Sequence, residues 1–329
     1  MRVLTNISDL ENPHPEVLEI VRTAPDFGAR FGAALDDLRS VDAAILSLPS
    51  KPEALACVVA RLRNPRLRIY YYDVNLPALS SSPLGRLKRG AYLALVRRAN
   101  AILTLHADTQ EYSESLRMET ERLVFIGFKS NSWEDKAAKA RGRSSLDQGT
   151  RIVACGRSYR DYDTFARACA ITGLPSTILL PPGSGMEEHG SVAPKGDLPD
   201  NLQVTVHDGS RASWIETLLG AKIVVVPLRS DVLQPAGVSV YLESMDLGRP
   251  VIVSRGPSTL KMLADDTAGI VPPGDSQALA SEMLRLWNDD TLRHDRMVAG
   301  MAYADRMAGM TRVSRDVFDF VLKDMHLKS

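Results

Sequence analysis

Cysteine, net charge and long apolar runs are all scarce in this chain, and each shortage closes off a class of function. The three cysteines (Cys57, Cys155 and Cys169) are odd in number and far apart. Neither a disulfide framework nor a cysteine-based zinc site fits them; they suit a reducing compartment. Forty Lys and Arg balance forty Asp and Glu, so a global nucleic-acid-binding role gains no support. No apolar segment approaches the roughly 20 residues that cross a bilayer. The start, MRVLTNISDLENPHP, lacks the basic segment and long apolar run of a secretory signal. Repeats with a period of about 20–50 residues are not visible either. A cytoplasmic protein is the expectation.

What is present is the composition of a soluble globular protein: 329 residues, 44% hydrophobic and 24% charged, long enough for two domains. Short apolar runs at 41–48, 67–72, 101–105, 123–126, 152–155, 177–180, 203–206, 222–226, 250–253 and 269–271 read as buried parallel strands. Segments with helical spacing, such as 53–63, 215–219 and 277–288, lie between them. The alternation predicts an α/β protein of doubly wound sheets. The polar stretch 131–149 predicts the boundary, giving domains 1–149 and 150–312. A helical segment at 313–329 could return to the first domain. The Gly- and Pro-rich loop 181–200, inside the second domain, is expected to be mobile or a lid.

The densest chemistry lies between Leu228 and Asp275. A loop, Gln234-Pro235-Ala236-Gly237-Val238-Ser239, runs into a short helix bearing one carboxylate, Glu243, and then into an apolar strand. Unpaired amides and the dipole at such a helix start attract an anion. A carboxylate one turn after Ser239 could accept hydrogen bonds from sugar hydroxyls. Together these features would grip a nucleoside diphosphate.

From about Arg151 to Arg306 the chain resembles the donor-binding half of the GT-B glycosyltransferases, specifically the retaining group often called family 4. The likeness rests on motifs in the family's order. Gly156-Arg157 with Arg160-Asp161-Tyr162 comes first, then Val206-His207-Asp208-Gly209 and Ile223-Val224-Val225-Val226-Pro227. The block Leu242-Glu243-Ser244-Met245 with Gly248-Arg249-Pro250-Val251-Ile252 follows, and Gly269-Ile270-Val271-Pro272-Pro273-Gly274-Asp275 closes the series. The resemblance implies two facing doubly wound, Rossmann-like domains in the GT-B architecture, with the active site in their cleft. It implies a UDP- or GDP-type sugar donor, a glycan or glycolipid acceptor, no cofactor and no metal.

By the same resemblance, Gly156, Gly237, Val238 and Ser239 line the diphosphate and Glu243 binds the ribose. Arg157 and Arg160 neutralise the leaving diphosphate, a role suited to guanidinium forks. The family's second glutamate, eight residues before the ribose-binding one, is replaced by Pro235; a one-residue insertion would put Gln234 there, which cannot carry negative charge. In the first half, Asp73 and His106 stand where relatives have acceptor-side residues, and His106 is a candidate catalytic group. The family's glycine-rich acceptor loop is absent. The readings are therefore a sugar transferase or, alternatively, a non-catalytic partner that binds nucleotide or glycan; an epimerase lacks its expected acid and histidine sites.

Two motifs have bland explanations. Asp161-Tyr162-Asp163 is formally a metal-binding DxD, yet Asp163 is expected as an N-cap or first-turn acid. Gly183-Ser184-Gly185 lacks the following helix of a dinucleotide fingerprint. One charge pattern stands apart: between Lys51 and Arg98, ten Lys and Arg face two acids. Residues 83–98 read as a basic amphipathic helix, and Leu84–Arg98 is a candidate contact with the anionic inner face of a membrane.

Overall fold

The computed structural model describes residues 1–12, 14–23, 31–74, 82–128, 135–183, 189–232, 235–307 and 309–326. Gln234 lies outside them. The chain divides into two compact units, one of Met1–Gly127 with Met310–Ser329, the other of Phe128–Gly309. Each is a six-stranded, wholly parallel sheet flanked by helices.

The first unit runs β1 (Arg2–Thr5), β2 (Glu19–Arg22), α1 (Phe31–Arg39), β3 (Ala43–Ser47), α2 (Lys51–Arg63), β4 (Arg68–Tyr72), α3 (Pro83–Val96), β5 (Ala101–Thr104), α4 (Thr109–Leu116) and β6 (Leu123–Phe125). Its strand order is β2-β1-β3-β4-β5-β6. Both faces of the sheet are covered, which is why its strands read as unbroken apolar runs. Ala44, Leu46, Ile69 and Tyr71 belong to one core cluster with residues of α1 to α4. Their neighbours Ala43, Ile45 and Tyr70 pack with Val313, Val317, Phe318 and Val321 of the C-terminal helix (Met310–His326). Ser50 starts α2 with a reciprocal capping box to Glu53. Ser82 caps α3, which ends at Val96 with Arg97 as its C-cap, two residues short of the expected end.

The second unit runs α5 (Lys136–Ser144), β7 (Arg151–Cys155), α6 (Tyr162–Thr172), β8 (Ser176–Leu180), β9 (Leu202–Val206), α7 (Arg211–Leu219), β10 (Ala221–Val226), α8 (Val238–Asp246), β11 (Val251–Ser254), β12 (Gly269–Val271), α9 (Ser276–Asn288) and α10 (Asp290–Arg306). The order β12-β11-β10-β7-β8-β9 is that of a dinucleotide-binding sheet. The order in which strands are added reverses between β7 and β10, and ligands collect outside the carboxyl ends of strands at such a switch point.

Two expectations are corrected here. The polar stretch 131–149 is not wholly a linker, because α5 is part of the second unit. Buried Arg249 donates to the carbonyls of Gly142 (2.8 Å) and Ser145 (3.0 Å). Lys139 and Arg143 pair with buried Asp246 at 2.8 and 3.0 Å. Two charges of this polar stretch are thus partners of a buried acid. Nor is the whole of 181–200 a free lid. Val192 exchanges backbone bonds with Arg160 (2.7 Å) and Tyr162 (3.1 Å), and Ser191 Oγ accepts from the Arg160 amide at 2.8 Å.

Candidate functional site

A cavity of about 560 Å³ opens in the second unit at the carboxyl ends of its strands. Gly156 and Arg157 follow β7; Leu179, Pro181 and Pro182 lie at the end of β8. His207, Gly209 and Ser210 follow β9, and Arg211 and Trp214 are on α7. Ser239, Val240 and Glu243 come from α8. A volume in the range of about 300–1,000 Å³ suits a small-molecule ligand.

The β7 turn is built around Arg160. Gly156 has φ +114°, and a Cβ there would collide with the Arg160 guanidinium, so only glycine fits. Arg160 is buried and folds back, donating from Nε to the Cys155 carbonyl (2.9 Å) and from Nη1 to that of Ser158 (2.6 Å). Burial lowers its proton affinity, and among the described residues no acid pairs with it. The expected direct contact of Arg160 with the ligand is not what the structure presents: its guanidinium braces the wall and does not line the cavity. Exposed Arg157 does line it.

Helix α8 begins at Gly237, whose φ of +84° breaks the chain direction. A Cβ at Gly237 would sit 2.6 Å from Val226 Cγ1 and 3.7 Å from Arg160 Nη1. Position 237 therefore wedges between β10 and the buried arginine. Among the described residues no side chain caps the helix, which leaves its first amides without a side-chain partner there, the arrangement that suits an anion. Every α8 residue except Ser239 is buried. Ser239 and Glu243, four apart, share the face that meets the cavity.

Glu243 is already engaged. Trp214 Nε1 donates to its Oε2 at 2.6 Å, and Arg211 forms an ion pair with Oε1. Burial pushes its carboxyl above the ordinary glutamate value, while Arg211 and Trp214 oppose that rise. Neither α7 residue was singled out from sequence. Their three-residue spacing places them on one helix face just after a strand end, and that was the available signal. Trp214 also meets His207 edge-on at 5.9 Å. With Leu179, Pro181 and Pro182 they make an apolar wall suited to a flat ring. One cavity thus joins a cation and helix start, a carboxylate and an aromatic wall.

The remaining candidates fall in the first unit. Asp73 and His106 follow the neighbouring strands β4 and β5 and converge on Tyr112 of α4. His106 is buried and stacked on the Tyr112 ring at 5.0 Å. Asp73 has φ +57°; the Tyr112 hydroxyl donates to the Val74 carbonyl at 3.2 Å, and the Val74 amide and Tyr112 hydroxyl near the Asp73 carboxylate act to lower its proton affinity. Burial nevertheless pushes its carboxyl up to about 6. Asp161 caps α6 by accepting from the Thr164 amide (3.0 Å), whereas Asp163 pairs with Arg167 and accepts from the Lys195 amide. Asp161 is therefore the cap and Asp163 the first-turn acid. Among the described residues no group of three or more His, Cys, Asp or Glu could hold a metal ion.

Residues 183–289, all in the second unit, match the family model of group 1 glycosyl transferases. No curated protein sequence matches the chain significantly. Among solved structures the chain is similar to HepE of Anabaena in complex with UDP-glucose, with a TM-score of 0.69, 13% identity and coverage of 98% of this chain and 100% of that one. It is similar to sucrose-phosphate synthase of Thermosynechococcus elongatus, with a TM-score of 0.67, 17% identity and coverage of 100% and 89%. It also resembles the α,α-trehalose 6-phosphate synthase of Burkholderia multivorans, with a TM-score of 0.63, 14% identity and coverage of 94% and 79%. The class that this fold defines is GT-B, and the chain has the GT-B fold. Its second sheet carries the group 1 glycosyl transferase match.

Proposed function

We propose that the protein transfers a sugar, with retention, from a nucleoside-diphosphate sugar to a hydroxyl of a glycan or glycolipid. The observation that carries this reading is the meeting of Arg157, the uncapped start of α8 and Glu243 in one cavity at the strand-order switch. A diphosphate lies against Arg157 and the amides near Ser239, which stabilise the charge that grows on the leaving group without metal or cofactor. Glu243 accepts the ribose hydroxyls, and the base rests on the wall of Pro181, Pro182, His207 and Trp214. Arg160 acts behind the first row, holding Gly156 and Gly237 in place. Uridine is the favoured base, since HepE was solved with UDP-glucose.

Asp73 and His106 serve the acceptor side in this reading, and Gln234 stands nearest to the missing family carboxylate. Among the described residues no helix is long and apolar enough to cross a membrane. A cytoplasmic protein that touches the inner membrane face through the exposed Leu84, Leu87, Arg86 and Lys88 of α3 fits a glycolipid acceptor.

A second reading, a nucleotide-binding partner without catalysis, is favoured by one observation. Arg211 and Trp214 already occupy both oxygens of Glu243. Incubation with UDP- and GDP-sugars separates the two. A transferase releases nucleotide slowly to water even without acceptor; binding without any release would leave only the partner role.

A further inference from the structure

Helix α3 carries a stripe of cations that includes Arg86 of the proposed membrane contact but has no part in the transfer chemistry. Arg86, Arg89, Gly90 and Arg97 follow a spacing of three, one and seven residues, which puts them along one helical face. That face borders a cavity of about 350 Å³, closed opposite by Ser115 and Arg117 from the end of α4. Among the described residues no acid lines it. Among the described residues the guanidiniums of Arg86, Arg89 and Arg117 have no hydrogen-bond acceptor or acidic partner, and Arg89 Nε is shut off from solvent. A neighbouring cavity of about 640 Å³ shares Arg97 and shows the contrast. There Arg61 and Arg122 spend their N–H groups on the carbonyls of Arg98 (2.6 Å) and Arg97 (2.7 Å).

Gly90 is the second, independent observation. It sits in mid-helix, its backbone does not need positive φ, and a Cβ there would meet nothing within 4 Å. Glycine is a poor helix former, and neither conformation nor crowding calls for it. Its effect is to leave the cavity floor open between Arg86, Arg89 and Arg97.

We infer that this cavity is a binding site for a phosphate-bearing group, separate from the donor site and independent of the proposed transferase reading. Several guanidinium forks converging on one hydroxyl-bearing cavity match the oxygens of a phosphate or diphosphate. The group could sit on a soluble molecule or on a lipid head; the chemistry recognised is the same.

The test is titration calorimetry of the full chain with inorganic pyrophosphate at low ionic strength, with thermal unfolding to check each variant. Two classes of site are expected, one lost in Arg157→Ala and the other in Arg86→Ala/Arg89→Ala. The latter should weaken about tenfold or more, since each charged hydrogen bond is worth roughly that factor. Gly90→Leu keeps every charge and fills the floor, so it too should lose the second class. Pyrophosphate bound equally well by Gly90→Leu or by the double variant would overturn the site, because the attraction would then be diffuse. Flotation with phosphatidylglycerol against phosphatidylcholine vesicles assigns the source. Capture by phosphatidylglycerol that Gly90→Leu abolishes identifies a lipid head; pyrophosphate binding without capture identifies a soluble ligand; the absence of both refutes the inference.

Discussion

Replacing Glu243 by glutamine separates its structural role from its proposed binding role. The carboxylate is buried, with one oxygen on Trp214 Nε1 at 2.6 Å and the other paired with Arg211. Burial, which raises its proton affinity, is the largest influence on it, and the two partners oppose that influence. Glu243→Gln removes both the cost of a buried charge and the reward of pairing it. Arg211 is nearly half exposed, at 43%, so the ion pair is screened and is worth little by itself. The net change in stability should be small, about 1 kcal/mol in either direction. Binding should not be spared.

A hydrogen bond to a charged group contributes about 1.5–3 kcal/mol and a neutral one about 0.5–1.5, so each ribose hydroxyl loses roughly 1 kcal/mol. With two hydroxyls the loss is about 2 kcal/mol, or roughly thirtyfold in Kd. Calorimetry with UDP and a urea melt on the same preparation read the two quantities. Unchanged affinity would refute the ribose assignment. A loss of several kcal/mol in stability with affinity retained would make Glu243 a purely structural acid, held by α7 for packing.

The other predictions follow from the same geometry. Arg157→Ala, at an exposed residue, should leave stability within about 0.5 kcal/mol and weaken nucleotide binding about tenfold or more; calorimetry decides. Gly237→Ala forces a Cβ to 2.6 Å from Val226 Cγ1 at φ +84°, and should cost about 1–3 kcal/mol in a urea melt. Removal of 310–329 strips Val313, Val317, Phe318 and Val321 from the first sheet. At about 1.5–3 kcal/mol for each buried side chain, that rivals a whole domain's stability, and soluble expression of the first unit should fail. Asp73, raised from 3.8 to about 6 in the folded state, binds more protons folded than unfolded between those values. Its contribution is therefore fully present below about pH 4 and is lost as pH rises through about 6. Asp73→Asn should flatten that part of the stability profile, and an unaltered slope would show that Asp73 is not the group responsible.

Much of this fold was legible before any coordinates. All ten expected strands form, within two residues at most of their ends, because both faces of each sheet are covered and the runs are apolar throughout. Strand β1 lies outside those ten, and so does strand β2, Glu-Ile-Val-Arg. The latter is a four-residue edge strand with charged ends and a half-exposed middle, too short and too polar to stand out. Helix α5 read as linker because its Lys139 and Arg143 look solvated, and nothing local reveals that Asp246 waits for them.

Glu243, Ser239 and Arg157, which line one cavity, could be named as candidates because an i, i+4 pair after a glycine, and an arginine after a strand, are properties of short segments. What a local segment cannot carry is who touches whom. That Arg160 turns inward to its own carbonyls, that Arg211 and Trp214 close on Glu243, and that Asp73 and His106 meet on Tyr112 all depend on strands far apart in sequence becoming neighbours. The chain alone determined most of the strands, the doubly wound class and the outline of a candidate anion-binding turn, since backbone propensity and hydrophobic period act over a few residues. The tertiary structure alone decided which charges are spent within the protein and which are left to a ligand, because burial and pairing exist only once distant segments pack.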